Sequence, residues 1–322
     1  MWKCDKITLN LILRRRKVKM KAEKIWMDGK MVDWDKAQVH VCTHALHYGS
    51  GIFEGIRAYK TENGTAVFRL KEHIDRLFNS AKIFKMVVPY SKEEFKQAIK
   101  DTIKANKLKS GYIRPLIYRG FKELGVSPFN CPVNSAIAVW EWGAYLGEEA
   151  LAQGIRTKIS SYARSYINST SQKAKICGNY VNSIFAKMEA IEAGVDEAIL
   201  LDTKGYVTEG SGENLFWIRN GVIYTTPTTT VLEGITRDSI IKIANDMGYQ
   251  VQEKYIGRDE LYISDEVFFA GTAAEVTPIR EIDNYQIGEG KRGSVTENIQ
   301  KKFFNIAKGK EDKYLSWLDF IQ

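Results

Sequence analysis

Three Xaa-Gly dipeptides constrain this chain more than any other feature. Asp28-Gly29, Lys204-Gly205 and Asn220-Gly221 each stand between two short apolar runs. Such pairs supply the positive backbone angles of a tight hairpin turn, so each predicts two adjacent antiparallel strands. The first closes a small hairpin over 25–32, far in sequence from the other two. Further β-rich runs occupy 111–118 (G-Y-I-R-P-L-I-Y), 135–142 (S-A-I-A-V-W-E-W) and 158–162, and V-F-F-A forms a strand before Gly271. Helical spacing links Ile74, Leu77, Phe78, Ala81 and Phe84, and again Phe95, Ala98, Ile99 and Ile103. Ser91 with Glu94 makes a capping box for the second of these helices. A third helix runs from Tyr180 to Ala193 and stops at Gly194, and a fourth runs from Thr236 to Gly248. The pattern breaks between Trp142 and Gly154. A chain of 322 residues has room for two cores. The expected architecture is therefore two-domain α/β (α+β): a basic, disordered extension over 1–24, a small α/β domain over 25–141, an interdomain loop over 142–154 and a larger strand-rich domain over 155–322.

The net charge of +8 invites a nucleic-acid reading, so its location matters. Residues 1–24 hold nine basic side chains against Asp5 and Glu23, a net +7 that leaves +1 for all the rest. A near-neutral body presents no broad phosphate-binding face, which argues against a nucleic-acid-binding protein led by its basic N-terminus. The apolar run Ile7–Leu13 is short, contains Asn10 and is followed by R-R-R-K-V-K, so it makes a poor targeting signal. No apolar stretch is long enough to span a membrane. Four scattered cysteines without a C-x-x-C pair fit a reducing cytoplasm.

Several motifs have a bland reading beside a chemical one. His40, His44 and His47 lack a carboxylate or cysteine to complete a metal set, and Val39, Val41 and Gly49 argue against a helix there, so a structural role is expected. G-S-G-E-N at 210–214 looks like a dinucleotide loop but leads into the strand L-F-W-I rather than a helix, so it reads as a turn. L-E-G-I-T-R-D at 232–238 opens a helix whose free backbone N–H groups suit an anion, although on local grounds alone a plain threonine cap is the favoured reading. A Gly271-Thr272 turn after a buried strand offers a second set of donors.

Taken in order, H-A-L-H-Y-G, F-E-G-I-R, K-x-x-G-N-Y (175–180), T-E-G-S-G-E-N-L-F (208–216), G-I-T-R-D and G-T-A-A-E-V-T-P closely resemble the branched-chain amino-acid aminotransferases, pyridoxal 5'-phosphate (PLP) enzymes of fold type IV. The resemblance runs from about Ile25 to the C-terminus. It implies a pseudo-barrel in the larger domain, PLP as cofactor, and reversible ping-pong transfer of an amino group from L-leucine, L-isoleucine or L-valine to 2-oxoglutarate. A D-amino-acid transaminase or an aminodeoxychorismate lyase is the alternative on the same fold. The resemblance gives Lys175 the Schiff-base role, a choice that spacing alone could not make against Lys173. Glu209 matches the carboxylate that faces the ring nitrogen, with Glu213 its nearby competitor, and Tyr180 matches the tyrosine on the phenolic oxygen. Arg76 matches the phosphate-binding arginine, which would otherwise read as a helix salt bridge, and Leu232, Ile235, Thr236 and Thr272 complete the cofactor set.

For the substrate the resemblance implies Tyr112, with Thr272 and Ala273, on the α-carboxylate and Arg114 on the distal carboxylate of glutamate. Being two apart on a strand, Tyr112 and Arg114 share a face. Phe53, Trp142 and Tyr145 match the apolar wall. Tyr48 matches a residue reaching in from a neighbouring subunit, which implies a homodimer at least, with tetramer and hexamer open. Two departures stand out: the loop A-R-S-Y-I-N-S-T-S-Q-K (163–173) lacks the family's usual proline, and Cys177 replaces a usual glycine.

Family resemblance and the first hairpin both begin beyond Met20, and residues 1–19 carry seven basic side chains against one acidic. A protein starting at Met20 is expected to fold and to bind PLP like the full chain. Loss of cofactor binding on truncation, read from the visible absorbance, would make the segment part of the fold.

Overall fold

The computed structural model describes residues 21–143 and 145–321. Most of the basic extension, and with it the disorder expected there, lies outside the described residues. Lys24, assigned to that extension, is instead the first residue of a strand, where its N–H donates to the Asn106 side chain.

The first sheet has eight strands: β1 (Lys24–Met27), β2 (Lys30–Asp33), β3 (Gly51–Phe53), β4 (Ile56–Thr61), β5 (Gly64–Phe68), β6 (Gly111–Arg119), β7 (Val133–Trp140) and β17 (Leu318–Phe320). They lie in the order β17-β5-β4-β6-β7-β1-β2, all antiparallel, with β3 paired to β6. Asp28 and Gly29 both take positive φ between β1 and β2, as a two-residue turn requires. A short helix α1 (His44–Tyr48) precedes β3, and α2 (Leu70–Ile83) and α3 (Lys92–Ala105) cover one face. Ser91 and Glu94 form the reciprocal capping box. Ile74, Leu77, Phe95 and Ile99 pack from these helices on Ile52, Ile56, Ile113 and Val139 of the sheet.

The second sheet contains β8 (Ile155–Ile159), β9 (Glu197–Leu201), β10 (Val207–Gly210), β11 (Asn214–Arg219), β12 (Val222–Thr225), β13 (Val251–Glu253), β14 (Glu266–Gly271), β15 (Glu275–Ile282) and β16 (Tyr285–Gln286). Pairing runs β10-β9-β8-β15-β14-β11, and β10 then pairs β11 through Glu209 opposite Asn214. That last pairing closes six strands into a barrel. Alternation along β11 separates its two faces: Leu215 and Trp217 pack with Ile155, Ile199 and Phe269, whereas Phe216 and Ile218 pack against helices. Those helices are α6 (Ile235–Asp246) and α8 (Ser294–Ala307); α4 (Glu148–Gln153), α5 (Tyr180–Glu192) and α7 (Arg258–Tyr262) complete the set.

Four differences from the sequence expectations have local causes. The 142–154 crossing is not all loop, because α4 packs on β15 within it. The strand expected at 158–162 sits three residues earlier, where Ile155, Thr157 and Ile159 are buried and Arg156 and Lys158 are not. His44 lies in a helix of its own, since Gly49 (φ 63) ends the turn there instead of preventing it. The last strand, β17, crosses the expected division at 155–322: it pairs with β5, and Leu318 shares a cluster with Tyr59, Phe68 and Phe303.

Candidate active site

The site lies where the first sheet meets the barrel. The segment Ala174–Ile176 belongs to the second half of the chain yet is held by the first. Phe53 N–H donates to the Lys175 carbonyl (3.0 Å), Lys175 N–H donates to Ser80 Oγ (3.0 Å), and Ile52 bridges Ile176. Ala174 and Ile176 sit in the core of the first sheet. Gly178 presses so closely on Gly49 that a Cβ on Gly49 would stand 2.7 Å from the Gly178 Cα, which excludes any side chain at position 49.

Held this way, Lys175 points into a cavity and its ammonium donates to the Tyr180 hydroxyl at 2.5 Å. Lys173, the residue that spacing could not exclude, faces elsewhere: its Nζ binds the Thr228 carbonyl and the Glu233 carboxylate. The same cavity is walled by Arg76, Tyr112, Glu209, Glu213, Leu232, Ile235, Thr236, Thr272 and Ala273, so every expected cofactor residue borders one space. Helix α6 starts there after Gly234, not on Thr236, and its first N–H groups are free of side-chain caps. An anion at that helix start meets a favourable dipole.

Glu209 stands at the barrel closure, opposite Asn214 in the strand pairing. Asn214 ties its carboxylate (3.3 Å) to the Leu232 carbonyl (3.1 Å), and Arg164 places Nε 3.0 Å from it. Burial pushes Glu209 above its ordinary range, while the charges of Arg164 and Lys175 pull it back. Arg76 is more committed than an open phosphate ligand would be. Its Nε and Nη2 grip both oxygens of Glu54 (2.6 and 2.8 Å), and Nη1 binds the Glu233 carbonyl (2.8 Å). Burial alone would raise Glu54, but Arg76 and the hydrogen bond from His73 hold it well below the carboxylate range. Three of the five guanidinium N–H groups are thus engaged, and two remain for a ligand.

The expected substrate residues divide. Tyr112, Thr272 and Ala273 line the cavity. Phe53, Arg114, Trp142 and Tyr145 do not line it; they are linked to Tyr112 by ring contacts, and Arg114 lines a separate apolar cavity with Leu116 and Tyr118. The Arg114 guanidinium lies 4.7 Å from the Phe53 ring and 5.3 Å from the Tyr112 ring, Trp142 meets Tyr112 edge-on at 4.6 Å, and Tyr145 meets Trp142 at 5.5 Å. Arg114 Nε is buried without a hydrogen-bond partner. Tyr48 stands apart, half-exposed beside His44, and does not line the cavity. The three histidines near it each bond to the protein: His44 to Ser50 and the Gly125 carbonyl, His47 to the Val41 carbonyl, His40 to the Cys42 N–H. Among the described residues no cluster of His, Cys, Asp and Glu could hold a metal, and no helix is long and apolar enough to cross a membrane.

Compared with known proteins, residues 51–282 match the family of class IV amino-transferases. The chain belongs to that family. The branched-chain-amino-acid aminotransferase of Pseudomonas aeruginosa is 51% identical over 298 residues, 92% of this chain and 97% of that one. Its Escherichia coli K12 counterpart is 48% identical over 303 residues, 94% and 98% of the two chains. Among solved structures, a T.th. branched-chain amino acid aminotransferase with pyridoxamine 5'-phosphate superposes with a TM-score of 0.92 at 52% identity, covering 94% of this chain and all of that one. The fold is accordingly that of the fold type IV aminotransferases.

Three site residues carried no role in the sequence reading. Arg57, in F-E-G-I-R, is buried on β4 and clamps two segments: Nε binds the Thr272 carbonyl (3.1 Å), and Nη2 binds the Gly143 (2.8 Å) and Ala273 (3.2 Å) carbonyls. Its Nη1 lies 3.5 Å from Glu275, which also accepts from the Tyr59 hydroxyl (2.8 Å) and takes φ 56. Glu54 anchors Arg76, and Arg164 attends Glu209. An arginine amid I-R-A-Y, a strand that must be buried, was a readable signal for Arg57, because a buried guanidinium needs acceptors. Arg57→Ala is expected to destabilise the protein by about 3–5 kcal/mol in chemical denaturation, since Glu275 and three carbonyls lose their cation. A loss below about 1 kcal/mol would show that the clamp is not structural.

Proposed function

We propose that the chain is a branched-chain-amino-acid aminotransferase, exchanging amino groups between L-leucine, L-isoleucine or L-valine and 2-oxoglutarate. The observation that carries this reading is Lys175, its amine hydrogen-bonded to Tyr180 in a cavity that the start of α6 and Glu209 also line. The cofactor is PLP, whose ring withdraws electrons from the bond being broken when it is bound. The residues present fit it. Lys175 supplies the amine for its aldehyde and then moves the substrate's α-proton. Tyr180 holds that amine in place. The Glu209 carboxylate holds a proton at the ring nitrogen by its charge. The N–H groups of Ile235 and Thr236, the Thr272 turn and the two free N–H groups of Arg76 take the phosphate, and Leu232 borders the ring beside Asn214.

For substrates, Tyr112 with the Thr272–Ala273 turn is assigned the α-carboxylate, Phe53, Trp142 and Tyr145 the aliphatic side chain, and Arg114 the distal carboxylate of glutamate. An arginine held on two aromatic rings with an unpartnered Nε supports that last assignment. We propose further that at least two copies assemble, Tyr48 of one reaching the site of the other. Its exposure beside exposed Val41 and Leu46 supports this. A cytoplasmic enzyme suits the three described cysteines, all free thiols.

Three outcomes check this reading. The purified protein is expected to absorb visibly and to lose that band on adding L-leucine. Lys175→Ala removes the borohydride-fixable linkage while Lys173→Ala retains it, and a linkage that survives in Lys175→Ala moves the role elsewhere. Arg114→Ala is expected to slow the glutamate half-reaction more than the leucine one. The lost charge-assisted contact is worth about 1.5–3 kcal/mol, and equal losses in stopped-flow traces would make Arg114 structural.

A further inference from the structure

Glu213 is a buried carboxyl in the cavity wall with no cation of its own. It closes the Gly210–Glu213 turn, in which Gly210 N–H donates to its carbonyl at 2.7 Å, and its Oε2 accepts the Gly212 N–H at 3.0 Å. The side chain runs between two glycines: a Cβ on Gly210 would come within 2.8 Å of Oε2, and one on Gly271 within 3.3 Å of Cγ. It therefore lies between Glu209's strand and the Thr272 turn.

The charged groups around it are already matched. Glu197 on β9, itself fully buried, takes the Lys187 ammonium from α5 at 2.5 Å and the Ala198 N–H at 2.8 Å, and Lys187 also binds the Asp196 carbonyl. Glu209 on β10 has Arg164. The other Arg164 nitrogens are spent on Asn182, Ser183 and the Gly210 and Ser211 carbonyls. Three buried carboxyls thus share two cations, and among the described residues neither cation is within ion-pair distance of Glu213. An ionised Glu213 would leave one negative charge uncompensated in a buried region, a state that proteins avoid by keeping the proton.

We propose that Glu213 is a positioning residue for Glu209: standing uncharged in the cavity wall, it leaves the Arg164 guanidinium to Glu209 alone, so that one negative charge, and not two, meets the ring nitrogen of the cofactor. The proposal rests on the reading of Glu209 as the ring-nitrogen partner. Burial, then the charge of Glu197, raise Glu213 to about 8 against the pull of Lys187 and the Gly212 N–H, and Glu209 adds to the rise. Above that pH a second negative charge forms beside Glu209, competes for Arg164 and increases the proton affinity of Glu209. The stability effect has a definite sign. A carboxyl raised from 4.5 to about 8 contributes stability that is present below 4.5 and is lost as pH rises to about 8.

The test uses the full-length, PLP-loaded enzyme titrated from neutral to alkaline pH by infrared and visible absorbance, and from pH 4.5 upward by melting temperature. Glu213→Gln replaces the protonated acid by an amide of the same shape. The parent is expected to show the carbonyl stretch of an un-ionised carboxyl at neutral pH, to lose it near a pH of about 8 with a shift of the cofactor band, and to lose melting temperature progressively between pH 4.5 and about 8. Glu213→Gln is expected to match the parent's neutral spectrum, to lack the infrared and visible steps, and to lack this fall in melting temperature. Glu197→Gln removes a like charge and frees Lys187, so it moves the step to lower pH. A parent without the un-ionised carboxyl, or a step that persists in Glu213→Gln, overturns the proposal. An infrared step that the cofactor band ignores overturns the positioning role. Glu209→Gln then separates the two readings: if it too leaves the cofactor band unchanged, the assignment of Glu209 to the ring nitrogen fails on its own.

Discussion

Everything in the site depends on how the chain is held at Lys175. The lysine is carried by a segment from the second half of the chain, but its carbonyl and amide hydrogen bonds go to Phe53 and Ser80 of the first. Ser80 Oγ in turn donates to the Arg76 carbonyl, one helical turn away. One run of backbone contacts therefore fixes the amine and the guanidinium relative to each other, and the close approach of Gly49 and Gly178 locks the seam from behind. The barrel then needs only to present Glu209 and the start of α6 across the gap.

Around that seam four cations are each paired with a buried carboxylate. Arg76 has Glu54, Arg57 has Glu275, Arg164 has Glu209 and Lys187 has Glu197. Such pairs contribute little net stability once desolvation is counted, but breaking one is costly, so they fix geometry more than they add to folding. For a site that must bind a dianionic phosphate and a carboxylate substrate this matters. The cations are aimed before any ligand arrives, which lowers the ordering cost of binding.

The elements easiest to read from sequence are those whose signal is local. The Asp28-Gly29 turn, the Ser91 capping box and the helical stripe through Ile74 and Leu77 all follow from neighbouring residues. The family motifs name residues that do border one cavity: Lys175, Tyr180, Glu209, Arg76 and the 232–236 segment. What stayed hidden depends on distant partners. Lys173 and Lys175 differ only in where the backbone turns them, and Arg164 sits in a loop distinguished only by its departure from the family pattern. Nothing around Leu318 says that it will pair with Phe68 in the other sheet, because that pairing has no local signature.

That same pairing has a consequence for how the protein comes into being. On the ribosome, the edge of the first sheet has to wait for almost the whole chain, since Phe68 is made early and Leu318 late. Until then the β5 edge stays unpaired, with Arg69 N–H lacking the Trp317 carbonyl that later receives it. Contacts so distant in sequence are slow to form, and exposed strand edges invite pairing with the wrong chain. The nascent first sheet is thus the stage most prone to aggregation, and the emergence of Leu318–Phe320 completes it.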